Sequence, residues 1–174
     1  RRWVWRILLA AALVASLVGT ALAADSDNIV IQDGIKYDLS GATGTVVKND
    51  ENTGLTTAPI KPAVRGKTIT KIADGAFSYF ESLVSVTIPG TITEIGENAF
   101  RSCEKLDNVV IPASVATIKD SAFYGCKGLK TLTFLDKVSL NDKGAAVVDA
   151  ATAIGPRAFG WCETLKTLKL SGSI

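Results

Sequence analysis

The sequence predicts an α/β solenoid, in which 23-residue coils, each with a short strand and a short helix, stack behind an N-terminal β-hairpin cap. Three observations predict it. The first is a recurring dipeptide, at Ala76-Phe77, Ala99-Phe100, Ala122-Phe123 and Ala158-Phe159. The first three phenylalanines follow one another at a constant 23-residue interval, and the last interval is 36, which is one period plus an insertion of 13. The second is the pattern around each dipeptide. The first unit reads Ile69, Ile72, Ala76, Phe77, Phe80, Leu83, Val86 and Ile88, and the next two read the same way from Ile92 to Ile111 and from Val115 to Phe134. A fourth runs from Ala151 to Leu170, and all of these positions are apolar in a chain that is only 47% hydrophobic. The third is a hairpin signal, Asp33-Gly34, between Ile29 to Ile31 and Ile35-Tyr37-Leu39.

Within a unit, Ala76, Phe77, Phe80 and Leu83 fall at the intervals of one helix face, so about two helical turns are expected there. Asp74, Glu97 and Asp120 precede the dipeptide in one column, where a carboxylate complements a helix N-terminus, and Pro156 takes that column in the fourth unit. Val86 and Ile88 alternate as in a strand buried on one face. Pro89 and Pro112 then end the strand, because proline cannot donate to a ladder. One unit cannot bury its own apolar face, so the coils are expected to stack with each phenylalanine over the next.

In the cap, Asp33-Gly34 suits a two-residue turn, whose central residues need positive φ. Thr45-Val46-Val47 is expected to add a third strand, and Lys48 to Thr57 reads as a polar loop. Residues 1–23 read as a secretory signal peptide: Arg1, Arg2 and Arg6 precede an uncharged run from Ile7 that ends Ala21-Leu22-Ala23. Cleavage there starts the mature chain at Ala24. A retained membrane anchor is the weaker reading, since Gly19, Thr20 and the alanines make the end of the run poorly lipophilic. The domains are therefore a signal peptide (1–23), a hairpin cap and loop (24–67) and four repeats (68–174) with the insertion inside 135–150. After Leu170 the sequence offers no polar cover as far as Ile174, so a continuing chain, cover by another chain (end-to-end self-association) or fraying of the final strand is expected at that edge.

Three of the 19 basic residues lie in the leader, and the remaining 16 face 17 acidic ones. The mature chain then carries a net charge of −1 from these counts, which points away from nucleic acid and anionic membranes as partners. There is no histidine, which removes histidine triads and most catalytic zinc sites. The acidic stretches Asp25 to Asn28 and Asn141-Asp142-Lys143-Gly144 reproduce no calcium loop and read as solvated turns. No phosphate-binding glycine loop and no paired carboxylates stand out, so no catalytic residue, metal ligand or cofactor is assigned.

Cys103, Cys126 and Cys162 occupy the column that Phe80 fills in the first unit. Unpaired, buried thiols are expected there. A Cys103–Cys126 or Cys126–Cys162 bond also lies within the reach of neighbouring coils.

What remains is surface. The outward strand positions form two columns: Ser85, Asn108, Thr131 and Thr167, and beside them Thr87, Val110, Thr133 and Lys169. They make either a solvated sheet, with threonine chosen for strand propensity, or a docking face of the kind solenoids present to partners. The insertion is the other candidate for contacts.

Periods of about 20–29 residues with Leu-x-x-Leu-x-Leu spacing mark leucine-rich repeats. The 23-residue form here, Ala-Phe-x-x-Cys-x-x-Leu closing on Ile-Pro, resembles the BspA-like family over residues 69 to 174. Asp33-Gly34-Ile35-Lys36-Tyr37 is similar to that family's N-terminal opening. The resemblance implies a secreted or cell-surface, non-catalytic protein that binds an extracellular protein or glycan in an adhesion-type role. Two other functions compete with it: an accessory arm of a larger secreted enzyme, and a self-associating surface-layer component.

Overall fold

The computed structural model describes residues 28–135, 138–140, 146–148 and 152–171. The expected signal peptide (1–23), Asp25 to Asp27, Asn141 to Gly144 and residues 172–174 lie outside the described residues.

Strands β1 (Ile29–Gln32) and β2 (Ile35–Asp38) pair antiparallel with Gln32 opposite Ile35. Asp33 and Gly34 between them have φ of 53° and 77°, the positive values a two-residue turn needs. Strand β3 (Gly44–Val47) pairs antiparallel with β2. The chain then passes through a 3₁₀ turn (Asp50–Asn52), β4 (Thr57–Pro59) and β5 (Ala63–Val64), which pairs antiparallel with β6 (Lys67–Ile72). The remaining strands are β7 (Ser85–Thr87), β8 (Glu94–Ile95), β9 (Asn108–Ile111), β10 (Thr117–Ile118), β11 (Thr131–Leu135), β12 (Val138–Leu140), β13 (Ala146–Val148), β14 (Ala153–Ile154) and β15 (Thr167–Ser171).

The coils wind through two parallel sheets. One runs β3-β6-β8-β10-β14 and carries the β1-β2 hairpin on its outer edge; the other runs β4-β7-β9-β11-β15. Between β11 and β14 the chain makes an antiparallel pair, β12-β13, outside both sheets. The side chains between the two sheets form one core. Phe77, Phe100 and Phe123 stack with centroids 5.1 and 4.9 Å apart and planes within 8°. Phe123 and Phe159 stack at 5.2 Å, so the longer chain interval between them does not disturb the pitch.

The helices expected in each coil do not form. Among the described residues the one helical element is the 3₁₀ turn, and the segment after each short strand is instead a third side of the solenoid. Its amides alternate between two kinds of partner. Gly75, Phe77 and Tyr79 donate to Glu97, Ala99 and Arg101 of the next coil at 2.7–2.8 Å, while Ala76, Ser78 and Phe80 close turns on the residue three before. An α-helix would commit every interior amide to its own chain segment. Here every second one reaches a neighbour, and left-handed residues make that reversal possible. Gly75, Asn98, Ser121 and Arg157 form one column of positive φ, and Tyr79, Ser102, Gly125 and Trp161 form another. The inward positions still fall three and four residues apart, so the burial pattern imitates a helix.

The acidic column has a corresponding correction. Asp74 serves no helix dipole; its Oδ1 accepts the backbone N–H of Glu97 in the next coil at 2.9 Å. Asp120 accepts from Ser121 Oγ and from Arg157 at 2.9 and 3.1 Å. Pro156, the expected first helical residue, accepts at its carbonyl from Ser121 N. These groups fasten coil to coil.

Candidate functional site

Strand register places the two outward columns as continuous rows. Ser85 lies beside Asn108, Asn108 beside Thr131, and Thr131 beside Thr167. Val110 lies beside Thr133 and Thr133 beside Lys169. Ser85, Thr87, Asn108, Val110 and Lys169 are exposed, and Thr131, Thr133 and Thr167 are half-buried. The alternate residues Val109 and Leu132 point into the core, which is what a pleated strand requires.

The rows begin one strand earlier than the repeat pattern indicates. Thr57 pairs with Ser85 and Pro59 with Thr87. The segment read as a polar loop therefore ends in the first strand of this sheet. The step from Thr57 to Ser85 is longer than the repeat period, because the β5-β6 hairpin, turning at Arg65 and Gly66, occupies that coil. The Gly66 turn between Val64 and Lys67 is the sequence signal that marks it. Along one flank Lys130 Nζ pairs with Asp107 at 3.1 Å. The face thus offers hydroxyl and amide groups, which donate and accept hydrogen bonds, with one cation at Lys169.

The three cysteines are free, with Cys103 and Cys126 fully buried and Cys162 half-buried. Each thiol donates to the carbonyl of the phenylalanine one coil earlier: Cys103 to Phe77 at 3.1 Å, Cys126 to Phe100 at 3.2 Å and Cys162 to Phe123 at 3.3 Å. Burial pushes the Cys103 thiol up to about 12 and Cys162 up to about 11, and it raises Cys126 in the same direction. Neutral thiols in a dry column are poor nucleophiles. They serve as small core residues that also satisfy a carbonyl.

On the opposite sheet Glu94 Oε1 lies 3.0 Å from Lys71 Nζ and 2.9 Å from Lys119 Nζ. Hydrogen bonding to Lys119, with Lys71 second, holds its carboxyl below the usual range. The network ties three coils together. Among the described residues no three acidic, cysteine or histidine side chains converge as for a metal ion, and no helix is long and apolar enough to cross a membrane.

The third side carries exposed rings to which the sequence pattern assigned no role. Tyr79 is 56% and Trp161 67% exposed. The Tyr124 ring lies 6.4 Å from that of Trp161, and the Arg101 guanidinium sits 5.0 Å from the Tyr124 centroid. Aligning the units would have exposed the anomaly, because the Tyr79 column otherwise holds Ser102 and Gly125.

Comparison with known proteins places this geometry. The chain matches the BspA type leucine rich repeat region (6 copies) over residues 57–145, just over half its length. The match starts at β4, the first strand of the five-stranded sheet. No curated protein matches the chain in sequence. Among solved structures it is similar to a leucine-rich repeat protein from Bacteroides capillosus ATCC 29799, with 25% identity and a TM-score of 0.64 over 83% of this chain and 99% of that one. It is also similar to a leucine-rich repeat protein from Bacteroides ovatus ATCC 8483, with 25% identity and a TM-score of 0.58 over 80% and 40% of the two chains. A leucine rich cell surface protein from Faecalibacterium prausnitzii A2-165 shares the fold at 21% identity and a TM-score of 0.58, over 86% of this chain and 41% of that one. The chain thus spans about two fifths of those last two proteins. With its 23-residue period, its stacked phenylalanines and its matched region, this chain belongs to the BspA-type leucine-rich-repeat family.

Proposed function

We propose that this protein is exported to the cell surface or the medium and binds an extracellular protein or glycan, without catalysis, through the outward face of the sheet from β4 to β15. The observation that carries the reading is the pair of registered rows, Ser85-Asn108-Thr131-Thr167 and Val110-Thr133-Lys169, on a face with one charge in eight positions. Hydroxyl rows on parallel strands roughly 4.8 Å apart give a regular lattice of donors and acceptors. Export is supported by the leader pattern of residues 1–23, and a surface location by the likeness to the Faecalibacterium cell surface protein. Affinity on such a face comes from area and shape.

The test replaces Thr87, Val110 and Thr133 together with arginine. These side chains are solvent-facing, so the variant is expected to fold. Pull-down against extracellular matrix proteins and printed glycans, at low and high salt, reads the effect. Wild-type binding that is weakly salt-dependent and lost in the variant supports the reading. Equal binding by the folded variant, or no binding by the wild type, removes the sheet face as the site.

A further inference from the structure

The column Tyr79, Ser102, Gly125 and Trp161 has φ of 64°, 56°, 72° and 57°. The fold demands this left-handed backbone in every coil, because the N–H of each of the first three residues must reach the next coil: Tyr79 to Arg101, Ser102 to Tyr124 and Gly125 to Gly160. Glycine adopts it freely and small polar residues do so at modest cost. A bulky aromatic residue there is an outlier. Tyrosine and tryptophan nevertheless hold two of the four positions, and neither regains the cost by burial, since the two residues are 56% and 67% exposed. Strain retained with the side chain in water points to a task in water.

The neighbouring column supplies the rest of a site. It runs Ser78, Arg101, Tyr124 and Gly160. The missing side chain at Gly160 matters here. A Cβ at that position would stand 3.0 and 3.2 Å from Tyr124 Cδ2 and Cε2, so the ring lies down over the glycine towards Trp161. Arg101 approaches Tyr124 at 5.0 Å, and its Nη1 donates to Asn98 Oδ1 at 3.3 Å. Arg101, Tyr124 and Trp161 therefore form one stripe along three successive coils. Beside it, Ser102 and Gly125 leave low ground between the two exposed rings, over a span of three coil steps, roughly 14 Å at ordinary strand spacing.

From this arrangement we infer that the turn side of the solenoid is a glycan-binding site, with Trp161 as the stacking platform, Tyr124 as its support wedged against Arg101 and Gly160, Arg101 as flanking donor and Tyr79 as the far wall. A sugar ring has a C–H face that packs flat on an aromatic ring and a rim of hydroxyls that need hydrogen-bonding groups beside it. Exposed rings with an apolar face and a polar edge, interleaved with Arg101, Asn98 and Ser102, meet both needs. A cationic ligand fits worse, because Arg101 already sits against the Tyr124 ring. A phosphate chain fits worse as well, because Glu97 and Asp120 lie on the same arms. This site is on a different side from the sheet face, so either reading can fail without the other.

The test uses the full chain in affinity electrophoresis through gels holding laminarin, xylan, galactomannan or arabinogalactan, together with the emission of Trp161. The difference in emission between the wild type and Trp161→Gly isolates Trp161 from Trp3 and Trp5, the other two tryptophans. The wild type is expected to be retarded by at least one polysaccharide, with a matching change in Trp161 emission. Trp161→Gly should lower that affinity about tenfold or more, a loss of about 1.4 kcal/mol. Its thermal midpoint should be unchanged or higher, as Gly125 shows the column accepts glycine. Trp161→Tyr, the residue at position 79 of the same column, should retain most of the binding. The sheet-face triple arginine variant should bind these polysaccharides as the wild type does. The inference is overturned if the wild type binds none of the four, if folded Trp161→Gly binds unchanged, or if the sheet-face variant alone loses binding.

Discussion

Replacing Phe100 with alanine removes one of the two inner rings of the four-ring stack that runs the length of the solenoid. The ring is fully buried and lies between Phe77 at 5.1 Å and Phe123 at 4.9 Å, with planes 8° and 7° from parallel. Truncating a buried phenylalanine costs about 3–5 kcal/mol, from lost transfer energy and the cavity left behind. Two offset ring pairs, each worth about 0.5–1.5 kcal/mol beyond burial, place this site at about 4–5 kcal/mol. Collapse cannot offset much of it, since the inter-coil hydrogen bonds of Phe77 and Phe100, both 2.7 Å, hold the arms apart. Phe159 is the internal control. It is half-buried, stacks on Phe123 alone at 5.2 Å and meets Phe134 edge-on at 6.5 Å. Phe159→Ala should cost about half as much, ~2 kcal/mol. Urea denaturation followed by far-ultraviolet circular dichroism measures both. Because each coil contacts only its neighbours, Phe100→Ala should also lower the slope of the transition by uncoupling the coils on either side. A loss below ~2 kcal/mol at Phe100, or a larger loss at Phe159 than at Phe100, would refute the continuous-stack account.

Deleting the insertion of 13 within 135–150 restores the 23-residue interval and should change stability by no more than about 1 kcal/mol, because loop length enters closure entropy only logarithmically. Failure of that variant to fold, judged by circular dichroism, would make the insertion part of the core. Cys103 and Cys126 should react with a thiol reagent only on unfolding, and fast labelling of the native protein would contradict their burial. Their thiols are raised in the folded state, so the associated stability is complete below the ordinary value of 9.0 and is lost as pH rises from there towards about 12 for Cys103. Each ionising thiol contributes up to ~1.4 kcal/mol per pH unit in that window. Thermal midpoints measured from pH 8 to pH 10.5 should therefore fall less steeply in Cys103→Ala than in the wild type, and parallel curves would count against the assignment.

The constant repeat period, the inward positions of the first three repeats, the phenylalanine stack, the Asp33-Gly34 turn and the buried free thiols at Cys103 and Cys126 were all legible in the sequence. The reason is that burial is written locally: each coil must offer the same apolar positions to the same core, so the pattern repeats in the chain itself. Whether the arms wind as helices was not legible. Ala76, Phe77, Phe80 and Leu83 point inward in a helix and in a run of turns alike. Only the amides of Phe77, Phe100 and Phe123 reaching the next coil, with left-handed residues on either side, decide between the two. The first strand of the five-stranded sheet was hidden for a related reason, since the β5-β6 hairpin lengthens that coil and moves Thr57 out of step with its partner Ser85.

The sheet-face columns could be read in advance because strand alternation places every second residue outward. The aromatic stripe could not, because Arg101, Tyr124 and Trp161 come from three different coils, one of them beyond the insertion, and share no residue type. By itself, then, the sequence determined which residues of the first three repeats face the core and how often the chain turns, whereas Ile154, Leu168 and Leu170 of the fourth repeat are exposed. The hydrogen bonds between coils, which exist only after stacking, decided the backbone of the arms and with it which side chains meet on their outer surface.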